Sequence, residues 1–490
     1  MSISDRISRR SLLIAGGATI AGVVLRPLGL RANADLLELR RVAGPGRAPL
    51  RGASSPETDV WCYDGEVSGP EIRVRQHGRV RIVVENKLQQ DTTIHWHGVR
   101  VPNAMDGAPN VTQPPIGPGE SFVYEFPVPD AGTYWYHPHL HSAEQVGRGL
   151  AGPFIVEELN PPPVDRDIVW VLGDFRLKND GSIAGGFNNP METGMSGRIG
   201  NTVTINGRVP DAFPVKSGER IRLRLINAAP SRIFRLEFKG HQPVVITYDG
   251  QPVEPHPPED DRVVLGPAMR IDLLIDMTAL PGMTLPILDS FYEGLPFKLV
   301  DFAYSDDEAS PKSALPPPTK LAANPLPVPD IARATRHEVT LTGGMGMGGM
   351  AGGGMMGGGN GMMGGMGPGG GMMAGMNGGP MWMMNGVAMP ADMAGHMEPV
   401  LTLARGASYI LAVDNQTAWY HPIHLHGHSF RVITRNGQPT KYREWRDTVL
   451  IPPRQKAELA FVADNPGDWM FHCHILDHQE GGMMSVIRVT

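Results

Sequence analysis

One pattern of residues occurs three times in this chain and indicates a β-rich fold built from related units. The copies occupy residues 61–88, 204–229 and 384–417. Each contains an Asn-Gly or Asp-Gly pair, a proline, a strand, a glycine turn, an alternating strand, and an asparagine eight or nine residues after that glycine. Alternation with period two is typical of strands that bury one face. The pattern predicts three related Greek-key β domains, with few short helices, at 140–150 and 475–480.

The length and composition of the chain agree with that organisation. Its 490 residues are too many for one domain and suit three of about 150. Proline-rich stretches at 161–163 and 311–329 lead us to predict domains at 35–160, 161–330 and 331–490. A hydrophobic content of 41% is ample for buried cores. A net charge of −6, with no basic block standing out after the N-terminus, argues against a nucleic-acid partner.

The first 34 residues have the pattern of an export signal. A twin-arginine segment at 8–13 precedes an apolar run, and Ala32-Asn33-Ala34 resembles a cleavage site. The alternative is a membrane anchor, but the apolar run of about 14 residues is shorter than the roughly 20 that a spanning helix needs. We therefore predict a twin-arginine signal peptide at 1–34, a periplasmic mature protein, and no membrane span after cleavage.

The stretch 471–484 carries the residues with the most specific chemistry. In an extended strand, Cys473 points to one face, and His472 and His474 point to the other. A thiolate from Cys473, an imidazole from His478 and a thioether from Met483 form the ligand set of a blue-copper site that lacks one histidine. The alternative interpretation is a buried cysteine in a histidine-rich strand.

The other histidines favour the metal interpretation. Ten of the 17 histidines fall into four short clusters, which random core or surface histidines do not form. The clusters are HWHG at 95–98, HPH at 137–139, HPIHLHG at 421–427 and HCHILDHQEGGM at 472–483. The third cluster also contains His421, which can supply the histidine that the blue site lacks.

These clusters resemble the complete ligand signature of the multicopper oxidases, and the resemblance extends over nearly the whole chain after residue 50. It implies an all-β fold of three cupredoxin-like Greek-key β-barrel domains, and four copper ions. The ligands that it implies for the type 1 copper are His421, Cys473, His478 and Met483. Those implied for the type 2 copper are His95 and His424, and those for the type 3 pair are His97, His137, His139, His426, His472 and His474.

The distribution of histidines among the repeats predicts where the copper sites lie. The first and third domains carry all the paired histidines, whereas the second carries only the single residues His241 and His256. A trinuclear cluster must then lie between domains 1 and 3, with the type 1 copper wholly inside domain 3. Domain 2 is expected to act as a spacer.

Two acidic residues are candidates for proton delivery. Asp106, eleven residues after His95, matches the family's carboxylate beside the type 2 copper. Its alternative role is an Asx-turn before Gly107. Some relatives have a second carboxylate directly after the last type 1 histidine, but here that position is Gln479 and the acid follows at Glu480.

The insert at 343–384 is the other unusual stretch, because it holds 14 of the 27 methionines and consists otherwise mainly of glycine. We predict a mobile loop, and we expect the Gly-rich stretch 181–200 to be mobile as well. Exposed thioethers select Cu(I) over hard cations. The alternatives are a solvated linker and apolar padding of a substrate groove. One departure from a cuprous oxidase of the family is that Thr417 and Trp419 replace an Asp and a Met that help to bind substrate copper.

The sequence therefore predicts a periplasmic, monomeric oxidase that couples one-electron oxidation of a substrate to reduction of dioxygen to water. Cu(I) is the preferred substrate, with a role in copper tolerance. One alternative is a general laccase that oxidises phenols, with the insert as a lid. Alternatives of another class are a copper-sequestering protein and a copper-free, exported relative that serves cell division. The complete ligand set argues against the last, and the paired type 3 histidines argue against a copper nitrite reductase.

Overall fold

A computed structural model describes residues 36–306, 316–345, 381–390 and 398–490. The export signal predicted at 1–34 and most of the methionine-rich insert lie outside these residues. Within the described residues, no helix is long and apolar enough to cross a membrane. The described chain consists of strands in six sheets, joined by turns and a few short helices. The predicted all-β fold is confirmed.

Domain 1 contains two four-stranded sheets, with strand orders β2-β1-β4-β6 and β3-β8-β7-β5. One short helix, α1 (Ser142–Gly147), follows β7, and a single 3₁₀ turn covers Asn103–Met105. The strands are β1 (Leu36–Ala48), β2 (Thr58–Tyr63), β3 (Ile72–Arg75), β4 (Arg79–Asn86), β5 (His95–His97), β6 (Ser121–Pro127), β7 (Gly132–His137) and β8 (Gly152–Glu157).

Domain 2 contains a six-stranded sheet, β10-β9-β12-β17-β14-β15, and a five-stranded sheet, β11-β19-β18-β13-β16. Its helix α2 (Pro190–Thr193) is a single turn, and a 3₁₀ turn covers Glu259–Asp261. The strands are β9 (Arg166–Phe175), β10 (Thr202–Ile205), β11 (Ala212–Val215), β12 (Arg220–Asn227), β13 (Phe234–Phe238), β14 (Val244–Tyr248), β15 (Gln251–His256), β16 (Val263–Leu265), β17 (Arg270–Asp276), β18 (Thr284–Asp289) and β19 (Phe297–Tyr304).

Domain 3 contains the sheet β21-β20-β23-β29-β25-β26, on which β27 also pairs with β25, and the sheet β22-β31-β30-β24-β28. Helix α3 (Leu476–Glu480) joins β30 to β31. The strands are β20 (Thr335–Gly343), β21 (Trp382–Met384), β22 (Leu401–Leu403), β23 (Ser408–Asn415), β24 (His421–Leu425), β25 (Phe430–Arg435), β26 (Gln438–Pro439), β27 (Trp445–Arg446), β28 (Thr448–Ile451), β29 (Lys456–Val462), β30 (Gly467–Cys473) and β31 (Met484–Val489).

The repeated asparagine explains why the sequence pattern recurs. Asn86, Asn227 and Asn415 each end a strand and are fully buried. In each case the side-chain oxygen accepts the N–H two residues on, and the amide donates to a carbonyl four or five residues on. The same buried corner is therefore built three times, and in domains 1 and 3 it leads into the strands β5 and β24 that carry histidines.

The alternating strand of domain 2 differs from the simple expectation of one polar, solvated face. Every residue of β12 is buried, including Arg222 and Arg224. Arg222 donates to Glu158 and Asp272, and Arg224 Nη1 donates to the Thr133 hydroxyl of domain 1 at 2.9 Å. The polar face of β12 is thus an interface with domain 1, where charged groups are paired as burial requires.

The two helices predicted at 140–150 and 475–480 correspond to α1 and α3. The Gly-rich stretch 181–200 was expected to be only a mobile loop, but it contains α2. The Asn189 side chain caps this helix by accepting the Met191 N–H at 2.9 Å, and Pro190 occupies the first helical position. This local sequence is therefore compatible with order despite its glycines.

Candidate metal centre

Three donor atoms in domain 3 lie close together at the ends of β24 and β30 and in α3. Cys473 Sγ lies 3.5 Å from His421 Nδ1 and 3.7 Å from His478 Nδ1, and the two Nδ1 atoms are 3.1 Å apart. All three side chains are fully buried. A sulfur and two imidazole nitrogens in a triangle of this size suit the His₂Cys set of a blue-copper site. We call these residues the thiolate trio.

Burial sets the protonation of the trio. It lowers the pKa of His478 to about 3 and that of His421 well below its ordinary value, so both rings are neutral and can bind a metal ion. Burial also raises the pKa of the Cys473 thiol, whose proton a metal ion has to displace.

Met483 lies on the same side of the sheet as Cys473. Both belong to the apolar core of domain 3, whereas Met484 packs in a separate cluster with Met389 and Met470. The Cys473 N–H donates to the Met483 carbonyl at 3.0 Å. This arrangement favours Met483 over Met484 as the thioether neighbour of the trio.

Eight histidines from domains 1 and 3 form a second buried group, which we call the histidine cluster. Strand alternation separates it from the trio: β24 pairs Ile423 with Cys473 and His424 with His472, so the two sites occupy opposite faces. The ligand atoms within each of three sets lie within 4.8 Å of one another, namely His95/His97/His424, His97/His137/His474 and His139/His426/His472.

The free ring nitrogens of the cluster show that metal ions fit it. His95 and His424 each donate a hydrogen bond from Nδ1 to a main-chain carbonyl at 2.8 Å, and their buried Nε2 atoms have no hydrogen-bond partner in the described part of the chain. Nε2 atoms also face each other at 3.0 Å between His426 and His472, and at 3.4 Å between His137 and His474. Burial lowers the pKa of six cluster histidines well below the ordinary value. Buried imidazoles whose free nitrogens converge on one space have the chemistry that a metal site needs.

Asp106 contacts the cluster directly. Its Oδ2 accepts a hydrogen bond from His426 Nδ1 at 2.8 Å, and its Oδ1 lies 3.3 Å from His95 Nδ1. Its main-chain carbonyl is the acceptor for His95 Nδ1. The carboxylate is buried, and its Oδ1 accepts no hydrogen bond from the residues that the structure describes.

Glu480 lies away from these contacts. Its carboxylate accepts the Ala143 N–H of α1 at 2.8 Å and the Asn188 amide of domain 2 at 2.5 Å. Burial raises its pKa to about 7. Gln479, which occupies the family's usual relay position, is buried, and its side-chain oxygen has no hydrogen-bond partner among the described residues. A relay role for Glu480 stays a prediction.

Domain 2 does more than hold domains 1 and 3 in register as a spacer, because its residues also contact the groups at both candidate metal sites. Residues 188–198, which we call the cap, cover the trio: the His478 Nε2–H donates to the Met195 carbonyl at 2.8 Å, and Trp382 Nε1 donates to the Thr193 carbonyl at 2.6 Å. The Arg198 N–H donates to Asp477 of α3 at 2.8 Å.

Asp447 and Arg270 are functional candidates that the sequence analysis missed. Asp447 is buried beside His97 and His424, and Arg270 of domain 2 binds both of its carboxylate oxygens. Burial opposes ionisation of Asp447, but the Arg270 guanidinium holds its pKa below the ordinary value. In the sequence, Asp447 is only an acidic residue directly before Thr448. Its importance follows from its contacts in the folded protein, which the sequence alone does not show.

Comparison with known proteins agrees with this geometry. Multicopper oxidase family models match residues 47–161, 167–283 and 373–490. The multicopper oxidase MmcO of Mycobacterium tuberculosis is 31% identical over 98% of this chain and 96% of its own length. A copper resistance protein A homologue of Pseudomonas syringae pv. tomato is 25% identical over 88% of this chain and 89% of its own. The crystal structure of a multi-copper oxidase from Pseudomonas thermotolerans has a TM-score of 0.80 at 32% identity, over 93% of this chain and 100% of that one.

The chain belongs to the multicopper oxidase family. It is an oxidoreductase that uses dioxygen and a reducing substrate, and its cofactors are four copper ions of types 1, 2 and 3. When bound, copper supplies one-electron oxidation and the reduction of dioxygen. The chain itself supplies buried donors in two adjacent sites. The HCH tripeptide at residues 472–474, which begins in β30 and continues one residue past its end at Cys473, joins these sites through three consecutive residues.

Proposed function

We propose that the reducing substrate of this oxidase is Cu(I) and that the protein serves copper tolerance. In this proposal the thiolate trio and Met483 hold the type 1 copper. His95 and His424 hold the type 2 copper, and the type 3 pair is held by His97, His137, His139, His426, His472 and His474. Asp106 delivers protons to the cluster.

The observation that carries the choice of substrate is the cover over the trio. The two ring nitrogens that face away from it are both occupied: His478 Nε2 by the Met195 carbonyl, and His421 Nε2 by the Thr417 hydroxyl, each at 2.8 Å. The Trp382 ring lies over both histidines, with centroids 4.3 Å from His478 and 5.0 Å from His421. A phenol ring has no exposed imidazole edge to contact here, whereas a metal ion can deliver an electron from the outer side of the cap.

Both described ends of the methionine-rich insert lie at this cover. The Met345 N–H donates to the Gly194 carbonyl, and Trp419 Nε1 donates to the Met345 carbonyl at 3.2 Å. A Cβ on Gly194 would lie 2.9 Å from Met345 Cγ and 3.2 Å from Met381 Sδ. Thioethers, which are soft ligands for Cu(I), therefore start and end the insert next to the cap. The name of the copper resistance relative agrees with this substrate.

A comparison of substrates tests the proposal. The copper-loaded protein is given Cu(I), Fe(II) and a phenol in turn, and oxygen uptake is measured at steady state. We expect the highest kcat/KM with Cu(I), with four Cu(I) and four protons consumed for each dioxygen that is reduced to two waters. A preference for the phenol would favour the laccase alternative. Copper binding without oxygen uptake on any reductant would favour a sequestering protein.

The thioethers of the insert are tested by replacing its methionines at 347–376 with serine at full length. A matched control replaces an equal number of insert glycines with serine and keeps every methionine. We expect the first variant to lose Cu(I) oxidation at low copper and to keep phenol oxidation, and the control to behave as the wild type. A serine insert that supports Cu(I) oxidation at the wild-type rate would contradict a role in copper capture.

We also propose periplasmic localisation through the twin-arginine segment at 8–13. Replacing Arg9 and Arg10 together with lysine should leave the protein in the cytoplasm, as measured by fractionation. Unchanged export of that variant would contradict this route.

A further inference from the structure

Arg270 contacts all three domains. It begins β17 of domain 2 and its side chain is fully buried. Its Nε donates to the Thr133 carbonyl in β7 of domain 1 at 3.1 Å. Its two terminal nitrogens donate to the two oxygens of Asp447 in domain 3, at 2.7 and 2.5 Å. A bidentate, charge-assisted pair of this kind fixes the plane of the carboxylate as well as its position.

Asp447, whose carboxylate Arg270 holds, contacts two residues of the histidine cluster, one through the carboxylate and one through its main-chain carbonyl. Asp447 Oδ1 lies 3.2 Å from His97 Nε2, and the Asp447 carbonyl accepts from His424 Nδ1 at 2.8 Å. The Thr448 hydroxyl, which lies 2.8 Å from Asp447 Oδ1, also contacts both rings. These bonds leave His97 Nδ1 and His424 Nε2 buried and without a hydrogen-bond partner among the residues that the structure describes. The two rings thus present different nitrogens to the cluster, and the bonds to Asp447 and Thr448 fix which one each presents.

The glycine that follows His97 gives independent evidence for the pair. Gly98 has a φ of +84°. A Cβ at this position would lie 2.3 Å from Arg270 Nη2 and 2.5 Å from Asp447 Oδ2. Any side chain here would collide with the ion pair, so the last residue of HWHG leaves room for an arginine from another domain. The backbone of domain 1, the arginine of domain 2 and the carboxylate of domain 3 are packed as one unit.

The geometry points to Arg270 as a positioning residue of the histidine cluster, which acts from domain 2 through Asp447 to fix the ring orientations of His97 and His424. The inference concerns the copper sites that the family shares and does not depend on the reducing substrate. It assigns domain 2, which contributes no histidine to the cluster, a part in retaining copper there.

Arg270→Met in the full-length, copper-loaded protein tests this role. Loss of the pair frees the Asp447 carboxylate, so His97 and His424 lose their fixed orientations. We expect cluster copper to be lost to a chelator at roughly 10- to 100-fold lower concentration, which is the usual cost of removing such a partner. The type 2 signal in electron paramagnetic resonance should broaden or shift. The blue absorption of the thiolate trio should stay unchanged. Arg270→Lys, which keeps the charge and loses the bidentate geometry, should restore part of the affinity.

Arg222→Met is the matched control. Arg222 is also fully buried in domain 2 and paired with two carboxylates, but it touches no residue of the cluster. We expect a lower melting temperature with unchanged copper retention. Equal copper loss in the Arg222 and Arg270 variants would overturn the proposal, because it would show a general effect of domain packing.

A second variant covers the case in which Arg270→Met does not fold. Asp447→Asn preserves size and shape and removes only the charge that Arg270 holds. Weaker copper retention with an altered type 2 signal would support the proposal, and wild-type retention with a wild-type signal would overturn it.

Discussion

Domain 2 contacts the thiolate trio and the histidine cluster with different kinds of groups. At the trio it uses the main chain of the cap, where the carbonyls of Thr193 and Met195 accept from Trp382 and His478. At the cluster it uses a buried charge, Arg270, on a buried carboxylate. The bonds to Trp382 and His478 are neutral hydrogen bonds, whereas the bond to Asp447 is an ion pair.

The difference predicts unequal consequences. A neutral hydrogen bond contributes about 0.5–1.5 kcal/mol net, so each bond from the cap to Trp382 or His478 is weak, and opening of the cap would leave every residue of the trio in place within domain 3. Removing one partner of a buried ion pair costs about 3–5 kcal/mol, because the other charge stays buried without compensation. We therefore expect domain 2 to limit the access of substrates to the trio, and to fix the orientation of the histidine side chains at the cluster.

The largest expected effect is that of a substitution in the trio, which should remove the type 1 copper and leave the copper of the cluster in place. Cys473→Ser should abolish the blue absorption and oxidase turnover together, because a hydroxyl does not replace the thiolate. Cluster copper should remain, since the bond from His472 Nδ1 goes to the main-chain carbonyl of residue 473 at 2.9 Å, which serine keeps. Visible absorption, electron paramagnetic resonance and oxygen uptake measure the three quantities. An active Cys473→Ser variant would contradict the assignment of the trio.

The next largest effect is a loss of turnover that arises at the cluster and leaves the trio unchanged. Asp106→Asn keeps the acceptor for His426 but cannot carry a proton, so turnover should fall roughly 100- to 10,000-fold with every reducing substrate. Copper content should not change, and anaerobic reduction of the blue site should stay as fast as in the wild type. Normal oxygen uptake would leave Asp106 only its role in the turn before Gly107.

The features that could be predicted from the sequence are those with a local pattern. The repeated turns and corner asparagines gave three β domains, and His-x-His spacing on strands gave two faces of ligands. Each of these depends on residues within about ten positions of one another, so period and spacing carry the information.

The features that could not be predicted depend on contacts between distant residues. Arg270 and Asp447 are 177 positions apart, and neither lies in a motif. The alternating arginines of β12 have the pattern of a solvated face, and only the packing of domain 1 shows that they are buried. The high glycine content of 181–200 predicts a mobile segment, because glycine increases the conformational freedom of an isolated chain. Glycine content carries no information about the hydrogen bonds that residues of the cap form with α3.

A smaller effect tests which methionine adjoins the trio. Met483→Leu conserves volume in the core and removes the weak thioether ligand, so the blue colour and all four coppers should stay while the reduction potential of the blue site rises. Redox titration measures it. Met484→Leu is the matched control, because Met484 packs in a different cluster and should leave the potential unchanged. A shift in the Met484 variant alone would reverse the assignment.

The smallest effect concerns the cap. Trp382→Phe keeps an aromatic ring beside His421 and His478 but loses the hydrogen bond to the Thr193 carbonyl, which holds the cap at 2.6 Å. The loss of about 1 kcal/mol should populate an open cap about fivefold more and raise kcat/KM for a bulky phenol by a similar factor, with copper content unchanged. Trp469→Phe is a suitable control, because that buried indole donates to the Asn465 carbonyl, outside the cap. If Trp382→Phe left phenol oxidation at the wild-type rate, or if both variants raised it equally, the cap would not control access to the trio. If Trp382→Phe instead lost cluster copper, the contrast between a neutral contact at the trio and a charged one at the cluster would fail.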